Sequence, residues 1–390
     1  MKYSKEAVLQ YVMEEDVKFV RLAFCDVFGK QKNVAIMAEE LARAFEFGIS
    51  IDASAIAGFG DETHSDLLLH PEPDTLALLP WRPEHGKVVR MFASISYPDG
   101  TPFECDTRAI LKKAIADAET AGLSFSFGPE QEFYLFLLEE NGETSKVPYD
   151  NAGYMDLAPD DKGENVRREI CLTLERMGIN PIGSYHGGGP GQNEIDFTSA
   201  DPLTAADNVE TFRMVVKTIA ARNGLYADFS PKPLAGKPGN GFHVNVRASK
   251  EGSDNCALLK NSIAGILEHT YDSTVFYNPS DASYKRLGKD DAPLSISWMK
   301  EGAGKIIKIP ATSGNPYLQM CSPDSEANPY LVNALLIHSC LDGIERNLDP
   351  EDYTKKKSFP ENRREAGNIA KESEFIRSVL NESIIEAYCR

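Results

Sequence analysis

Residues 18–26 alternate as a strand does, residues 27–30 turn, and residues 31–36 alternate again, so this segment is a hairpin. Residues 38–47 have the spacing of a short helix. Residues 48–62 form a loop rich in Gly, Ala and Asp, and 66–79 holds two short apolar runs broken by Pro71 and Pro73. Residues 87–95 are a further strand. From residue 106 onward, long helical patterns alternate with single strands. Helices are predicted over 107–121, 165–177, 205–223, 255–270, 329–346 and 372–388, with Gly122, Gly178 and Gly224 stopping the first three. Strands are predicted over 124–138, 192–198, 225–229, 241–248 and 304–309. The change of pattern predicts an α+β chain of two domains, 1–100 and 101–390.

Three strands carry chemistry on their polar faces. Side chains at i and i+2 share a face. In Gly128-Pro129-Glu130-Gln131-Glu132-Phe133, Glu130 and Glu132 point one way and Phe133 and Leu135 the other. Glu194 and Asp196 share a face opposite Ile195 and Phe197. His243, Asn245 and Arg247 share a face opposite Phe242, Val244 and Val246. Adjacent carboxylates repel unless a cation sits between them. Oxygen donors with one imidazole suit Mg²⁺ or Mn²⁺ better than a structural zinc. Each strand alone would also suit an ordinary solvated face. Together, each beside a glycine-rich approach such as 187–191 or 236–241, they favour a shared metal site.

Composition narrows the class. The chain has 390 residues, 42% hydrophobic and 26% charged, enough apolar material for a sizeable core. Its formal net charge of −18 argues against general nucleic-acid binding and against docking on an anionic membrane. It permits small anionic substrates, because a local arginine or metal overrides the global field. The first residues lack the apolar run of a signal peptide, and no stretch approaches the ~20 apolar residues of a membrane span. Seven scattered cysteines without a CxxC pair predict free thiols in a reducing cytoplasm.

In order along the chain, these segments resemble the glutamine synthetase family, bacterial type. The resemblance rests on the Asp52-x-Ser54-x-Ile56 loop with Ser65-Asp66, on Gly128–Phe133, Gly191–Ile195 and Asn240–His243, on Asn278-Pro279 with Ser283–Leu287, and on Ser322-Pro323-Asp324 with Ala327–Leu331. It implies a β-grasp domain followed by a catalytic domain with an antiparallel sheet and flanking helices. It implies an ATP-dependent ligase that joins glutamate or a related acid to ammonia or another amine through an acyl phosphate, with two Mg²⁺ or Mn²⁺ ions. On this resemblance Glu132 and Glu194 hold the metal nearer glutamate, and Glu130 and His243 the metal nearer ATP. Arg286 grips the substrate α-carboxylate beside Asn240 and Gly241. Asp52 reaches a neighbouring subunit's site and takes a proton from ammonium. Asp291 falls at an acidic flap position, and Phe197 and Lys308 fall on the nucleotide side. Family members assemble as hexameric or double-hexameric rings, which implies a homo-oligomer.

The sequence also departs from the family. A further metal-binding carboxylate is replaced at or beside His186, which stands there as a ligand candidate. Two phosphate-contacting arginines correspond to Glu301 and Ala303, and a Glu-x-Arg corresponds to Gln319-Met320-Cys321. These changes leave a second reading open, a relative that has lost phosphoryl transfer and serves different metal chemistry or a structural ring.

Overall fold

The computed structural model describes residues 3–59, 66–82, 85–298, 304–311, 316–353 and 357–390. The chain divides into two compact units, residues 1–110 with 175–178, and residues 111–174 with 179–390. The sequence positions of Ser65, Glu301 and Ala303 lie outside the described residues.

The first unit contains α1 (Lys5–Glu14), β1 (Val17–Cys25), β2 (Gln31–Met37), α2 (Leu41–Phe47), β3 (Ile49–Asp52), β4 (Asp66–Pro71), β5 (Ala77–Leu78) and β6 (Lys87–Ser96). The predicted hairpin is β1–β2, closing with Cys25 opposite Gln31. The buried Asp26 carboxylate makes the turn by accepting the Phe28 and Lys30 N–H groups at 3.0 and 2.9 Å. The sheet order is β2-β1-β6-β4-β3, with β5 also on β6; β1 and β6 run parallel and the other pairs antiparallel. Val20, Leu22, Leu41, Leu67, Val89 and Met91 bury its apolar side. Strand β3 was expected to be loop. Its four residues, Ile-Ser-Ile-Asp, are too few for periodicity to reveal, and pairing with β4 makes them a strand.

After α3 (Thr107–Thr120), the remaining elements are β7 (Ser124–Leu138), β8 (Thr144–Pro148), α4 (Glu164–Arg176), β9 (Pro181–His186), β10 (Gln192–Phe197), α5 (Pro202–Arg222), β11 (Leu225–Asp228), β12 (Phe242–Ser249), α6 (Asn255–Tyr277), α7 (Ser283–Arg286), β13 (Ser295–Trp298), β14 (Lys305–Lys308), β15 (Leu318–Met320), α8 (Pro329–Glu345), α9 (Arg363–Glu372), α10 (Glu374–Val379) and α11 (Glu382–Tyr388). The large sheet runs β13-β14-β15-β12-β7-β10-β9, with β8 and β11 also paired to β7. It is antiparallel except for β13–β14.

Helix α5 covers one face of this sheet. Asp201 caps it through the Thr204 N–H, and Pro202 starts it. Phe212 stacks near Phe133, Phe197 and Phe229, with ring centroids 6.0, 5.5 and 6.1 Å away. That aromatic cluster takes up the apolar side of β7 and β10 and leaves their carboxylates on the other. Helices α6 and α8 cross at Gly265 and Gly343. A Cβ on Gly265 would lie 2.0 Å from the Ser339 carbonyl, and one on Gly343 2.1 Å from that of Asn261. Only glycine allows that approach.

Two helix predictions needed correction. The helix expected over 255–270 continues to Tyr277, because its last turns are buried on the side away from solvent. The helix expected over 372–388 is two helices. Leu380 is extended at φ −113° and ψ 145°, and Asn381 starts α11 by accepting the Ile384 N–H.

Candidate functional site

Register brings the polar faces together. Glu194 pairs directly with Glu132, and Asp196 with Glu130. On the other side of β7, Glu130 pairs with His243 and Gly128 with Asn245. Directly opposed residues in an antiparallel pair hold their Cβ atoms about 5 Å apart. Glu130 therefore lies between Asp196 and His243, with Glu132 and Glu194 one step along. Ligand atoms of Glu130, Glu194 and His243 all lie within 4.8 Å of one another.

The charges are crowded. Glu194 is only 6% exposed. Burial drives its pKa well up, and Glu132, Asp196 and Glu130 add to the effect. Burial, then Glu130, pushes Asp196 up to about 7. Burial raises Glu132 too, against the pull of His243 and the Gly241 N–H. Glu130 differs. Burial raises it, but His243 and the Asn245 and Gln319 amides more than offset this, so its carboxyl lies below the usual range. Its Oε1 accepts from Asn245 Nδ2 at 2.7 Å, and Gln319 Nε2 donates to both its oxygens at 2.9 and 2.8 Å. His243 Nδ1 stands 3.6 Å from Glu130 Oε2.

A cationic corner closes the site. Arg286, on α7, is 2% exposed, and its Nη1 and Nη2 donate to the Ser322 and Cys321 carbonyls at 3.0 and 3.4 Å. The Gly241 N–H donates to Glu132 Oε2. A Cβ on Gly241 would lie 2.8 Å from His243 Nε2, 3.0 Å from Arg286 Nη2 and 3.1 Å from Glu132 Oε2. Three functional groups thus converge on one glycine. Asn240 is fully buried; its Nδ2 ties the loop to the Asp228 and Ser230 carbonyls, while its Oδ1 has no partner among the described residues.

The other sequence candidates fall out differently. Asp291 is exposed, and its Oδ2 would lie 3.3 Å from a Cβ on Gly188. Lys308 is exposed on β14 opposite Gln319. Asp52 belongs to the first unit, at the end of β3, where its Oδ1 accepts the Ser54 N–H at 2.9 Å. The Ser54 hydroxyl and backbone hold its carboxyl below the usual range. Phe197 was expected on the nucleotide side, but its side chain is buried on the apolar face against Phe212, leaving only its backbone for a ligand.

His186 does not join the carboxylate cluster. It pairs with Asn193, one residue out of phase with Glu194, so its ring turns to the other face and bonds Asp150. Tyr185 takes the position opposite Glu194, and its hydroxyl bonds Glu194 and Asp196. Sequence reasoning missed Tyr185 as a member of the site, and it marked Gln319 as the replacement of a family glutamate without its contact to Glu130. Strand β15, which carries Gln319, is only three residues long.

For the metals, the donor set is chemically suitable: buried carboxylates whose mutual repulsion a hard divalent cation would relieve, with one imidazole. Among the described residues no helix is long and apolar enough to cross a membrane.

Residues 104–390 match the family model for the glutamine synthetase catalytic domain, and residues 16–98 that for the glutamine synthetase β-grasp domain. The chain is 41% identical over 414 residues to the glutamine synthetase of Clostridium saccharobutylicum, covering 99% of this chain and 94% of that protein. It is 41% identical over 412 residues to that of Methanosarcina mazei, covering 99% and 92%. A solved GmaS/ADP complex is similar with a TM-score of 0.88 at 26% identity, covering 98% of this chain and 94% of the other. The cryo-EM structure of Plasmodium falciparum glutamine synthetase has a TM-score of 0.89 at 20% identity, covering 100% and 95%, a likeness of fold.

Proposed function

The chain belongs to the glutamine synthetase family, and on that premise we propose that it is an ATP-dependent ligase joining glutamate or a related acid to ammonia or another amine. The observation that carries this reading is the register of β10, β7 and β12, which sets Glu194 against Glu132 and Glu130 between Asp196 and His243. Glu132 and Glu194 would hold one Mg²⁺ or Mn²⁺, and Glu130 and His243 a second. Divalent cations there supply neutralising charge for a transferring phosphoryl group.

The chain's own residues do the rest. Arg286, fixed by two backbone carbonyls, presents its buried charge toward Gly241 and binds the substrate α-carboxylate. Gly241 leaves room for that carboxylate, and Asn240 holds the loop. Asp291, beside Gly188, orients the amine side of the pocket. Asp52, kept ionised by Ser54, accepts a proton from ammonium in the site of a neighbouring subunit. Lys308 and the Phe197 backbone serve the nucleotide; the ADP held by the GmaS structure is consistent with this. The working form would be a homo-oligomeric ring, hexameric or dodecameric, in the cytoplasm.

The test is ATP hydrolysis dependent on glutamate across a panel of amines, with Mg²⁺ or Mn²⁺ and mass spectrometry of the products. An amide formed with stoichiometric ADP supports the reading; no turnover with any amine sinks it. One observation favours a second reading, metal binding without phosphoryl transfer: Gln319 and Asn245 amides occupy both oxygens of Glu130. Calorimetry separates the two, because metal binding with no ATP binding would support only the second.

A further inference from the structure

His186 is fully buried at the end of β9. Its Nδ1 lies 2.8 Å from the Gly187 carbonyl oxygen and its Nε2 2.9 Å from Asp150 Oδ1. A carbonyl can only accept. Asp150 is also used as an acceptor: Oδ1 takes the Gly191 N–H at 2.9 Å and Oδ2 the Lys162 N–H at 3.1 Å. Acceptors on both ring nitrogens are satisfied only when both carry protons. The charged groups around the ring are Asp150, Asp161 and Arg167. Arg167 pairs with Asp161 and donates to Asn193 Oδ1 at 2.6 Å. Two cations thus balance two carboxylates, the condition for keeping charge buried. Burial opposes the charge on His186, but Asp150 and the Gly187 carbonyl outweigh it and raise its pKa. Arg167 on Asp161 and His186 on Asp150 neutralise the group of Asp150, Asp161 and His186 without a metal ion.

We propose that the His186 imidazolium, locked on Asp150, is a positioning residue that holds the glycine loop 187–191 in the shape that walls the candidate site. The loop is bonded at each step: the Gly187 N–H to the Gln192 carbonyl at 2.8 Å, the Gly189 N–H to Gln192 Oε1 at 2.8 Å, and the Gln192 N–H to the Gly189 carbonyl at 3.0 Å. Gln192 Nε2 then donates to the Gly239 carbonyl at 3.0 Å, two residues before Gly241. The Tyr134 hydroxyl donates to the Pro238 carbonyl at 2.7 Å, and a Cβ on Gly189 would collide with that hydroxyl at 1.9 Å. Gly188 meanwhile faces Asp291 and Pro238, with a Cβ there 3.3 and 3.5 Å from them. The charge on His186 therefore reaches the site through two stacked loops, without the ring touching any reacting group. Its consequence for substrate rests on the ligase reading; its charge and the order of the loop do not.

The experiment uses the full chain. Deuterium exchange at the histidine C2 carbon, followed by mass spectrometry over a pH series, reports the protonation midpoint of His186. Backbone exchange of the peptide spanning residues 187–191 reports loop order. In the wild type the midpoint lies above 6.5 and the loop exchanges slowly. In Asp150→Asn, with unchanged circular dichroism, the midpoint falls and loop exchange accelerates at least tenfold. If the protein turns over glutamate, KM for the acid rises while kcat changes less. A wild-type midpoint at or below 6.5 overturns the proposal, even if the variant fails to fold. So does a folded Asp150→Asn protein whose loop exchange matches wild type. Absence of ligase activity in the wild type, with both exchange results as expected, would count against the ligase reading alone.

Discussion

Replacing Asp196 with Asn should stabilise the metal-free protein at alkaline pH. In the fold, burial and Glu130 hold this carboxyl up to about 7, against 3.8 for a free aspartate. A raised folded pKa means that ionisation costs more in the fold than in the unfolded chain. Stability from this residue is therefore fullest below 3.8, falls as pH rises toward about 7, and is flat above. At about 1.4 kcal/mol per tenfold change in proton affinity, the full cost at pH 8 is about 4 kcal/mol. Asn removes the charge but must find partners in the same buried place, which leaves a net gain on the order of 1–3 kcal/mol. That raises the melting temperature by roughly 1–4 °C for a chain of this size. The assay is thermal melting in EDTA at pH 5 and pH 8, repeated with saturating MnCl₂. Asp196→Asn should exceed wild type in EDTA at pH 8, with a smaller margin at pH 5. In Mn²⁺ the wild type should recover, because a bound cation relieves the repulsion that the substitution removes. A variant less stable than wild type in EDTA at pH 8, or a margin that grows toward pH 5, refutes the electrostatic account of the cluster.

Other outcomes follow from the same geometry. Glu194→Gln should remove the part of the Mn²⁺-dependent stabilisation that comes from the ion shared with Glu132, about 2.7 kcal/mol for a cation at 100 times its Kd; an undiminished stabilisation would remove Glu194 from the metal set. Gly241→Ala should fold, because its neighbours on that side are side chains, yet weaken both Mn²⁺ and acid-substrate binding at least tenfold by titration calorimetry. Arg286→Lys loses the fork that reaches two carbonyls and the substrate together, and should raise KM for the acid roughly 30-fold, about 2 kcal/mol, with less effect on KM for ATP. Gly265→Ala places a Cβ 2.0 Å from the Ser339 carbonyl and should cost about 3 kcal/mol or more in urea melts, far from any effect on metal binding.

The residues that sequence alone placed well are those governed by a period of two. Glu130, Glu132, Glu194 and His243 lie inside their strands, so parity fixed their face, and strong apolar partners such as Phe133 and Ile195 fixed the other. His186 escaped because parity at the end of a short strand depends on register with β10, which no local pattern encodes. Phe197 sat on the apolar face by the same parity that correctly placed Ile195. Gln319 reaches Glu130 from a three-residue strand, across a separation of 189 residues, and only the folded sheet reveals it. The break at Leu380 in the last helical run needed the Asn381 cap to be seen in place.

The most direct measurement follows oxygen. Glutamate labelled with ¹⁸O in its side-chain carboxyl is turned over with ATP, Mn²⁺ and an accepted amine, and the released phosphate is weighed by mass spectrometry. A carboxylate oxygen that attacks the γ-phosphorus stays on phosphorus when the amine displaces phosphate, so each phosphate should carry one ¹⁸O, and Glu130→Gln should release none above background. Amide product accompanied by unlabelled phosphate, or labelled phosphate undiminished in Glu130→Gln, would contradict the account.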